Sequence, residues 1–354
     1  MTAKLTTTNQ KATLRRGWTT GACATAATKS AVMGLLTGEV LDPVEITLPK
    51  GQQVSFALCG GEAKQGESAW ASIIKDAGDD PDVTHGALIT VRAKPGVVGQ
   101  GLRYHAGRGV GTVTREGLPI PVGEASITPV PRQMIADAAQ EVTKAFDQPC
   151  DFDLTFEIEN GAALAKETLN PRLGIVGGLS ILGTTGIVIP YSCASWIHSI
   201  HRGIDVARAA KMAHVLASTG NTSETAANKR LQLPEVALLD MGDFAGGLLK
   251  YLKTHPIPRL TIAGGPGKLS KLAQGHLDLH SSRSQVDLDW LCTEAGLAST
   301  DAQSAAQLLL TYPNLAILIA ERAAQTAQNL LGPSIKVDSL VFDRRGNLLA
   351  ESHP

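Results

Sequence analysis

Residues 214–224 read His-Val-Leu-Ala-Ser-Thr-Gly-Asn-Thr-Ser-Glu, residues 236–243 read Val-Ala-Leu-Leu-Asp-Met-Gly-Asp, and residues 260–268 read Leu-Thr-Ile-Ala-Gly-Gly-Pro-Gly-Lys. Each is a short apolar run that ends at a glycine-containing loop, and each is followed by a helical pattern. Strand–loop–helix repetition implies a mainly parallel sheet with covering helices. The three loops then lie beyond the carboxyl ends of their strands, where such sheets bind ligands. Their convergence says more than any one glycine loop.

Outward from this stretch, helices are expected at 193–210, 286–296, 302–311 and 314–331, and a closing hairpin at 335–342 and 348–351 around Arg-Arg-Gly-Asn. The first half mixes hairpins and helices. Residues 1–13 read as a loose polar arm, and an Ala-rich helix begins near Ala22. The alternating runs 44–48 and 54–58 flank Pro-Lys-Gly as a hairpin. Strands are expected at 87–93, 110–114 and 152–159, a helix from Pro131 to about Phe146, and a short helix at 161–169. The expected fold is an N-terminal α+β domain, residues 1–189, followed by a C-terminal α/β domain, residues 190–354.

The chain has 354 residues, 43% hydrophobic and 18% charged, as in a soluble globular protein with a large core. The formal net charge is −1 and no basic block is present, which argues against a nucleic-acid partner. Five widely spaced cysteines without a Cys-x-x-Cys pair argue for a reducing compartment and against a zinc knuckle. No apolar stretch of about 18 residues is present to cross a membrane. The expected location is the cytoplasm, and a homo-oligomer is left open.

Three further segments carry chemistry. Residues 75–86, Lys-Asp-Ala-Gly-Asp-Asp-Pro-Asp-Val-Thr-His-Gly, hold four aspartates within seven residues. A solvated turn is the plain reading; a loop presenting carboxylates to a cationic group is the sharper one. A calcium loop fits poorly, because counting twelve from Asp76 or Asp80 reaches Ala87 or Val91 where a Glu is required. Residues 16–31 place Thr19, Thr20 and Gly21 at a helix start whose first-turn N–H groups suit a carboxylate or phosphate; a plain capped helix is the alternative. Residues 170–192 alternate glycines and hydroxyl residues with aliphatics, which permits close backbone approach to a ligand, although Gly-x-Gly-x-x-Gly is absent.

Together, Gly-Trp-Thr-Thr-Gly-Ala-Cys-Ala (17–24), the 75–86 segment, Gly-Val-Gly-Thr-Val-Thr (109–114), Gly-Leu-Pro-Ile-Pro-Val-Gly-Glu (117–124), Asn-Pro-Arg-Leu-Gly-Ile-Val-Gly-Gly (170–178), Leu-Gly-Thr-Thr-Gly-Ile-Val (182–188), Gly-Asn-Thr-Ser-Glu (220–224) and Asp-Leu-His-Ser (278–281) run in order along most of the chain. In these stretches it resembles the cobalt-precorrin-5B (carbon 1) methyltransferase family of anaerobic cobalamin biosynthesis. The resemblance implies methyl transfer from S-adenosylmethionine to ring carbon 1 of a cobalt-containing corrin intermediate, giving cobalt-precorrin-6A. It implies no protein-held metal, since the macrocycle brings its own cobalt.

On that resemblance, the expected cofactor residues are Gly183, Thr184, Thr185, Gly186, Gly220, Asn221, Ser223, Glu224, Asp240, Gly242, Asp243, Gly264 and Gly265, with Asp240 or Asp243 taking the ribose hydroxyls. Asp243 reads equally as a helix N-cap. The expected macrocycle side holds Thr19, Thr20, Gly21, Lys29, Asp76 and Arg172. Arg16, Lys29, Lys75, Arg132 and Arg172 are the cations available for its acid arms, although each also reads as a solvated surface charge. His85, Asp79, Asp80 and His280 are candidates for proton handling, although the two histidines read first as structural hydrogen-bonding groups. Two other readings compete: an NAD(P)-dependent reductase of a corrin intermediate, disfavoured by the missing fingerprint, and a non-enzymatic corrinoid-binding protein, which has no use for glycine loops at three strand ends.

Overall fold

The computed structural model describes residues 14–297 and 304–352. The expected arm at 1–13 and the start of the 302–311 pattern lie outside the described residues. The chain divides into two compact units. One comprises residues 1–114, 119–171 and 175–192; the other comprises 115–118, 172–174 and 193–354.

The first unit is built around one helix, Thr20–Thr37. Every residue from Thr20 to Val32 is buried, so the helix has no solvent face. Small side chains make this possible, because Ala, Gly, Thr and Ser let neighbours approach from all sides. Its hydroxyls are satisfied locally: Thr25 and Thr28 donate to the carbonyls of Gly21 and Ala24, four residues back. The helix packs on a five-stranded sheet ordered Gly60–Lys64, Ser68–Ile74, Leu88–Pro95, Phe152–Ile158, Leu102–Ala106. All neighbours are antiparallel except the last pair. Phe152–Ile158 alternates strictly between buried and half-buried positions, as a strand covered on one face must. The second helix, Pro129–Ala145, packs on the first.

Several boundaries differ from expectation. The second helix starts at Pro129, with Pro131 buried inside its first turn; both positions tolerate proline because first-turn N–H groups need no intrahelical partner. The 110–114 strand is split into Gly109–Val110 and Thr112–Val113, which pair with Gly178–Leu179 and Ile175–Val176 respectively. Gly111 makes the break, since a Cβ there would sit 2.3 Å from Ile175. The 161–169 helix is α-helical only over Gly161–Leu164 and continues as a 3₁₀ turn, Ala165–Glu167. Strands Gly60–Lys64, Ser68–Ile74 and Leu102–Ala106 were not anticipated. Ser-Ala-Trp-Ala-Ser-Ile-Ile is poor in β-branched residues, and tertiary pairing decides it.

The second unit carries a five-stranded sheet ordered Leu238–Asp240, His214–Ser218, Arg259–Gly264, Lys336–Phe342, Leu348–Glu351. The first four are mutually parallel and the last is antiparallel, so the mainly parallel expectation holds. Residues 235–237 form a 3₁₀ turn, which shortens the expected 236–240 strand to Leu238–Asp240. Helices Cys193–Ala209, Ala245–Thr254, Pro266–Ala273 and Pro313–Leu331 form the larger core with one face. Asn221–Leu231 contributes to a smaller core on the other, with Leu216, Ala227, Ala263, Leu340 and Phe342. Leu288–Glu294 and Ala305–Thr311 are capped by the side chains of Asp287 and Ser304.

Candidate functional site

Parallel register brings three loop starts to one edge of the second unit's sheet, because Ser218 pairs with Asp240 and Ala263. Backbone bonds lock them together. Thr219 N donates to Ala263 O at 2.9 Å, and Met241 N donates to Ser218 O at 2.9 Å. Lys268 Nζ donates to Thr219 O at 2.8 Å and lies 3.0 Å from Asp243 Oδ1 in an ion contact. Ser223 Oγ donates to Gly220 O at 2.8 Å. Leu279 N donates to Asp243 O at 2.8 Å, so the 278–281 motif joins the same edge, with His280 exposed and its Nδ1 2.7 Å from Ser282 Oγ.

The glycines at this edge differ in kind. A Cβ on Gly264 would meet Leu269 at 2.0 Å, so this glycine permits packing. Gly220 and Gly267 have nothing within 4 Å of an added Cβ, and Gly265 only the Phe342 carbonyl at 4.0 Å. At these three the backbone is bare toward open space, as a ligand cradle requires. Gly220 is extended, a conformation any residue can adopt.

Two acids stand beside this space. Glu224, buried, takes a two-point ion pair from Arg172, Nη1 to Oε2 at 2.9 Å and Nη2 to Oε1 at 2.6 Å, and a bond from Ser218 Oγ at 3.2 Å. Asp240 ends its strand, and no side chain of the described residues hydrogen-bonds its carboxylate. Burial pushes its pKa up, and the nearby Glu224 charge adds to this, against the Gly242 N–H and the charges of Arg172 and Lys268. Arg172, expected on the macrocycle side, is thus placed with Glu224 in the second unit.

Gly183, Thr184, Thr185 and Gly186, grouped with these loops from sequence, belong instead to the first unit. Added Cβ atoms would meet Thr19 at Gly183 and Leu48 at Gly186, each at 2.5 Å. Thr185 Oγ1 bonds within its own turn, to Ile187. The segment closes over the start of the central helix. Gly21 N donates to Leu182 O, Ala22 N to Thr19 Oγ1, and Leu182 N to Thr20 Oγ1. The first-turn N–H groups expected to be free are therefore engaged, and Thr19 and Thr20 are buried.

The acidic loop is likewise tied internally. Asp76 holds the Arg15 guanidinium, and Asp79 accepts from Arg15 N at 2.6 Å. Asp80 accepts from Tyr191 N at 2.7 Å. Asp82 pairs with Lys75 Nζ at 2.7 Å and accepts from Thr84 N and Oγ1. Lys75 is 1% exposed. His85 Nδ1 accepts from Ala77 N at 3.1 Å. Segments 15–18 and 76–79 interlock through Trp18 N to Asp76 O and Asp79 N to Arg15 O, with Gly17 and Gly78 permitting the contact. The Arg15 hydrogen bond and charge hold Asp76 down at about 2. Of the five cations proposed for acid arms, Lys29 pairs with Glu141, Lys75 with Asp82, Arg132 with Glu124 and Arg172 with Glu224. Arg16 alone of these, among the described residues, is exposed with no ion pair.

Sequence reasoning missed Trp196. It lies in helix Cys193–Ala209, is 47% exposed, and donates from Nε1 to the Asp240 carbonyl at 3.3 Å. Its rarity was the available signal, since aromatics make up 4% of the chain. A cavity of about 350 Å³ lies elsewhere in this unit, lined by Arg230, Arg259, Asp338 and Glu351 among others, and these four are paired with one another.

Comparison with known proteins places these features in a lineage. The CbiD family model matches residues 7–190, and the model of the CbiD C-terminal domain matches residues 278–353. A cobalt-precorrin-5B C(1)-methyltransferase of Brucella anthropi is 54% identical over 363 residues, covering 99% of this chain and 98% of that protein. One of Brucella canis is 54% identical over 355 residues, covering 96% of each. A crystal structure of a cobalamin biosynthesis protein (cbiD) from Archaeoglobus fulgidus is 26% identical, covers 80% of this chain and 85% of its own, and superposes with a TM-score of 0.41.

Proposed function

Since the chain belongs to the CbiD family, we infer that it is a C-methyltransferase acting on carbon 1 of cobalt-precorrin-5B in cobalamin biosynthesis. We propose S-adenosylmethionine as the methyl donor and the strand-end edge of the second unit as its site. The observation that carries this placement is the bare backbone at Gly220, Gly265 and Gly267 on the same strand-end edge at which Asp240 ends its strand. A sulfonium donor supplies its own leaving group when bound, so the chain has to bind, align and exclude water rather than provide a nucleophile.

In this reading Asp240 accepts the ribose hydroxyls. Lys268 ties the Thr219 and Asp243 loops, and the Arg172–Glu224 pair fixes the helix that follows Gly220. Arg16 is the first unit's cation for a substrate acid arm. His85 and the loop aspartates hold chain segments together, and no proton-transfer residue is assigned. A cytoplasmic location accompanies the reading, supported by five unpaired cysteines. No helix among the described residues is long and apolar enough to cross a membrane.

Calorimetry tests the donor. S-adenosylhomocysteine is expected to bind and NADPH is not; the reverse result overturns the methyltransferase reading in favour of the reductase.

A further inference from the structure

We propose that Trp196 is the stacking platform for the adenine of the methyl donor, a specificity residue at the strand-end edge. The inference rests on the donor site proposed above. Four observations on one residue carry it.

The indole is pinned on one side. Its Nε1 donates to the carbonyl of Asp240, the residue whose carboxylate faces the proposed ribose position. The next turn brings Gly242 against the Nε1 edge of the ring. Gly242 has φ +54°, and a Cβ there would lie 3.3–3.5 Å from Nε1, Cε2 and Cζ2 of Trp196. That glycine meets a backbone requirement and also lets the ring lie against the main chain.

Away from that edge the side chain is not covered, and 47% of the residue is exposed. A tryptophan left half exposed forgoes the burial that normally holds this side chain inside. Here a hydrogen bond and a backbone contact fix its few side-chain torsions before any ligand arrives, so little ordering entropy is lost on stacking.

The neighbours suit a purine nucleoside. Leu239 points into the larger core, so strand alternation sends Asp240 toward the opposite face, where Glu224 lies. Trp196 comes from a helix in the larger core. Indole and carboxylate therefore flank the same strand end from its two sides, with the Met241–Gly242 turn between them. A flat aromatic base on one side and a hydroxyl pair on the other match this arrangement. An aromatic face stacks on any base and is worth about a ten- to hundredfold change in affinity when removed.

The test is binding of S-adenosylhomocysteine and adenosine, with S-adenosylmethionine as a control, by calorimetry, with quenching of tryptophan fluorescence as a second readout, on wild type, W196F and W196A. W196F keeps a ring and loses the Nε1 hydrogen bond. The expected result is near-normal binding by W196F and about tenfold or greater weakening by W196A for both ligands, with the quenching absent in both variants. Wild-type affinity in W196A overturns this inference and leaves the donor reading standing. Equal losses in W196F and W196A assign the effect to the hydrogen bond and overturn stacking. A loss for S-adenosylmethionine without one for the homocysteine product points to the sulfonium and overturns the adenine assignment. A wild type that binds no adenosyl ligand removes the donor reading and this inference together.

Discussion

The two acidic regions of the molecule differ in how densely their carboxylates are set and in what those charges do. In the first unit Asp76, Asp79, Asp80 and Asp82 are each held by a cation or a backbone N–H, and the loop works as a clasp. In the second unit Asp240 ends a strand at the edge that carries Gly220, Gly265 and Gly267, and among the described residues no side chain hydrogen-bonds its carboxylate. Density of charge therefore does not coincide with the proposed donor site. Local repulsion among four carboxylates is offset by partners from distant parts of the chain, Arg15 and Tyr191, whereas at the sparse edge the Asp240 carboxylate is the group proposed above for the donor.

The contrast breaks most visibly at Lys75. Asp82→Ala leaves a buried ammonium without its counter-charge and is expected to cost about 3–5 kcal/mol. Replacing both, Lys75→Met with Asp82→Leu, is expected to recover most of that loss, since a buried pair is often replaceable by apolar groups. Chemical denaturation of the wild type and these two variants checks both statements; a double variant as unstable as Asp82→Ala would deny the clasp its ion-pair logic.

Glycines sharpen the comparison next. Gly186→Val forces a Cβ to within 2.5 Å of Leu48 at φ +80°, and a loss of about 2–4 kcal/mol is expected. Gly220→Val meets open space in an extended conformation and is expected to change stability by less than about 0.5 kcal/mol. It should nonetheless weaken S-adenosylhomocysteine binding by about tenfold, the free-energy equivalent of about 1.4 kcal/mol. Thermal melts and calorimetry on the pair separate a packing glycine from a ligand-facing one. Normal binding by Gly220→Val would move the donor site elsewhere.

Acid titration gives the two regions opposite signs. Asp76 is held at about 2 by Arg15, so its contribution to folding is complete above the ordinary value of about 3.9 and is lost as pH falls toward 2. Asp240 is raised by burial, so its ionisation works against the fold as pH rises through its folded value. The protection of the Trp18 amide, whose N–H donates to Asp76 O, against hydrogen exchange, taken relative to its intrinsic rate at each pH, should fall between about pH 4 and 2. Equal protection of that amide at both pH values would detach the clasp from Asp76.

The smallest effects belong to Asp79→Asn and Asp80→Asn. An amide oxygen still accepts from Arg15 N and Tyr191 N, so losses below about 1 kcal/mol and near-normal methyl transfer are expected. A large fall in turnover with intact stability would give these carboxylates a part in the chemistry.

Much of the second unit was legible in sequence, because each strand, loop and helix there is contiguous and its apolar run announces it. The parallel order, the loops at one edge and the closing hairpin followed from local pattern alone. The first unit was less so: Ser68–Ile74 is a strand by virtue of its neighbours, and the 110–114 run is divided by Gly111. By itself the sequence determined the fold class of each half, the motifs and the family they resemble. Only tertiary structure decided which motif groups were already occupied. Arg172 meets Glu224, Lys29 meets Glu141, Asp80 meets Tyr191 N and Trp196 meets the Asp240 carbonyl across 52, 112, 111 and 44 residues of chain. Strand and helix periodicity is written within a few consecutive residues, whereas the partner that neutralises a charge or leaves an indole exposed is set by packing between segments far apart in the chain.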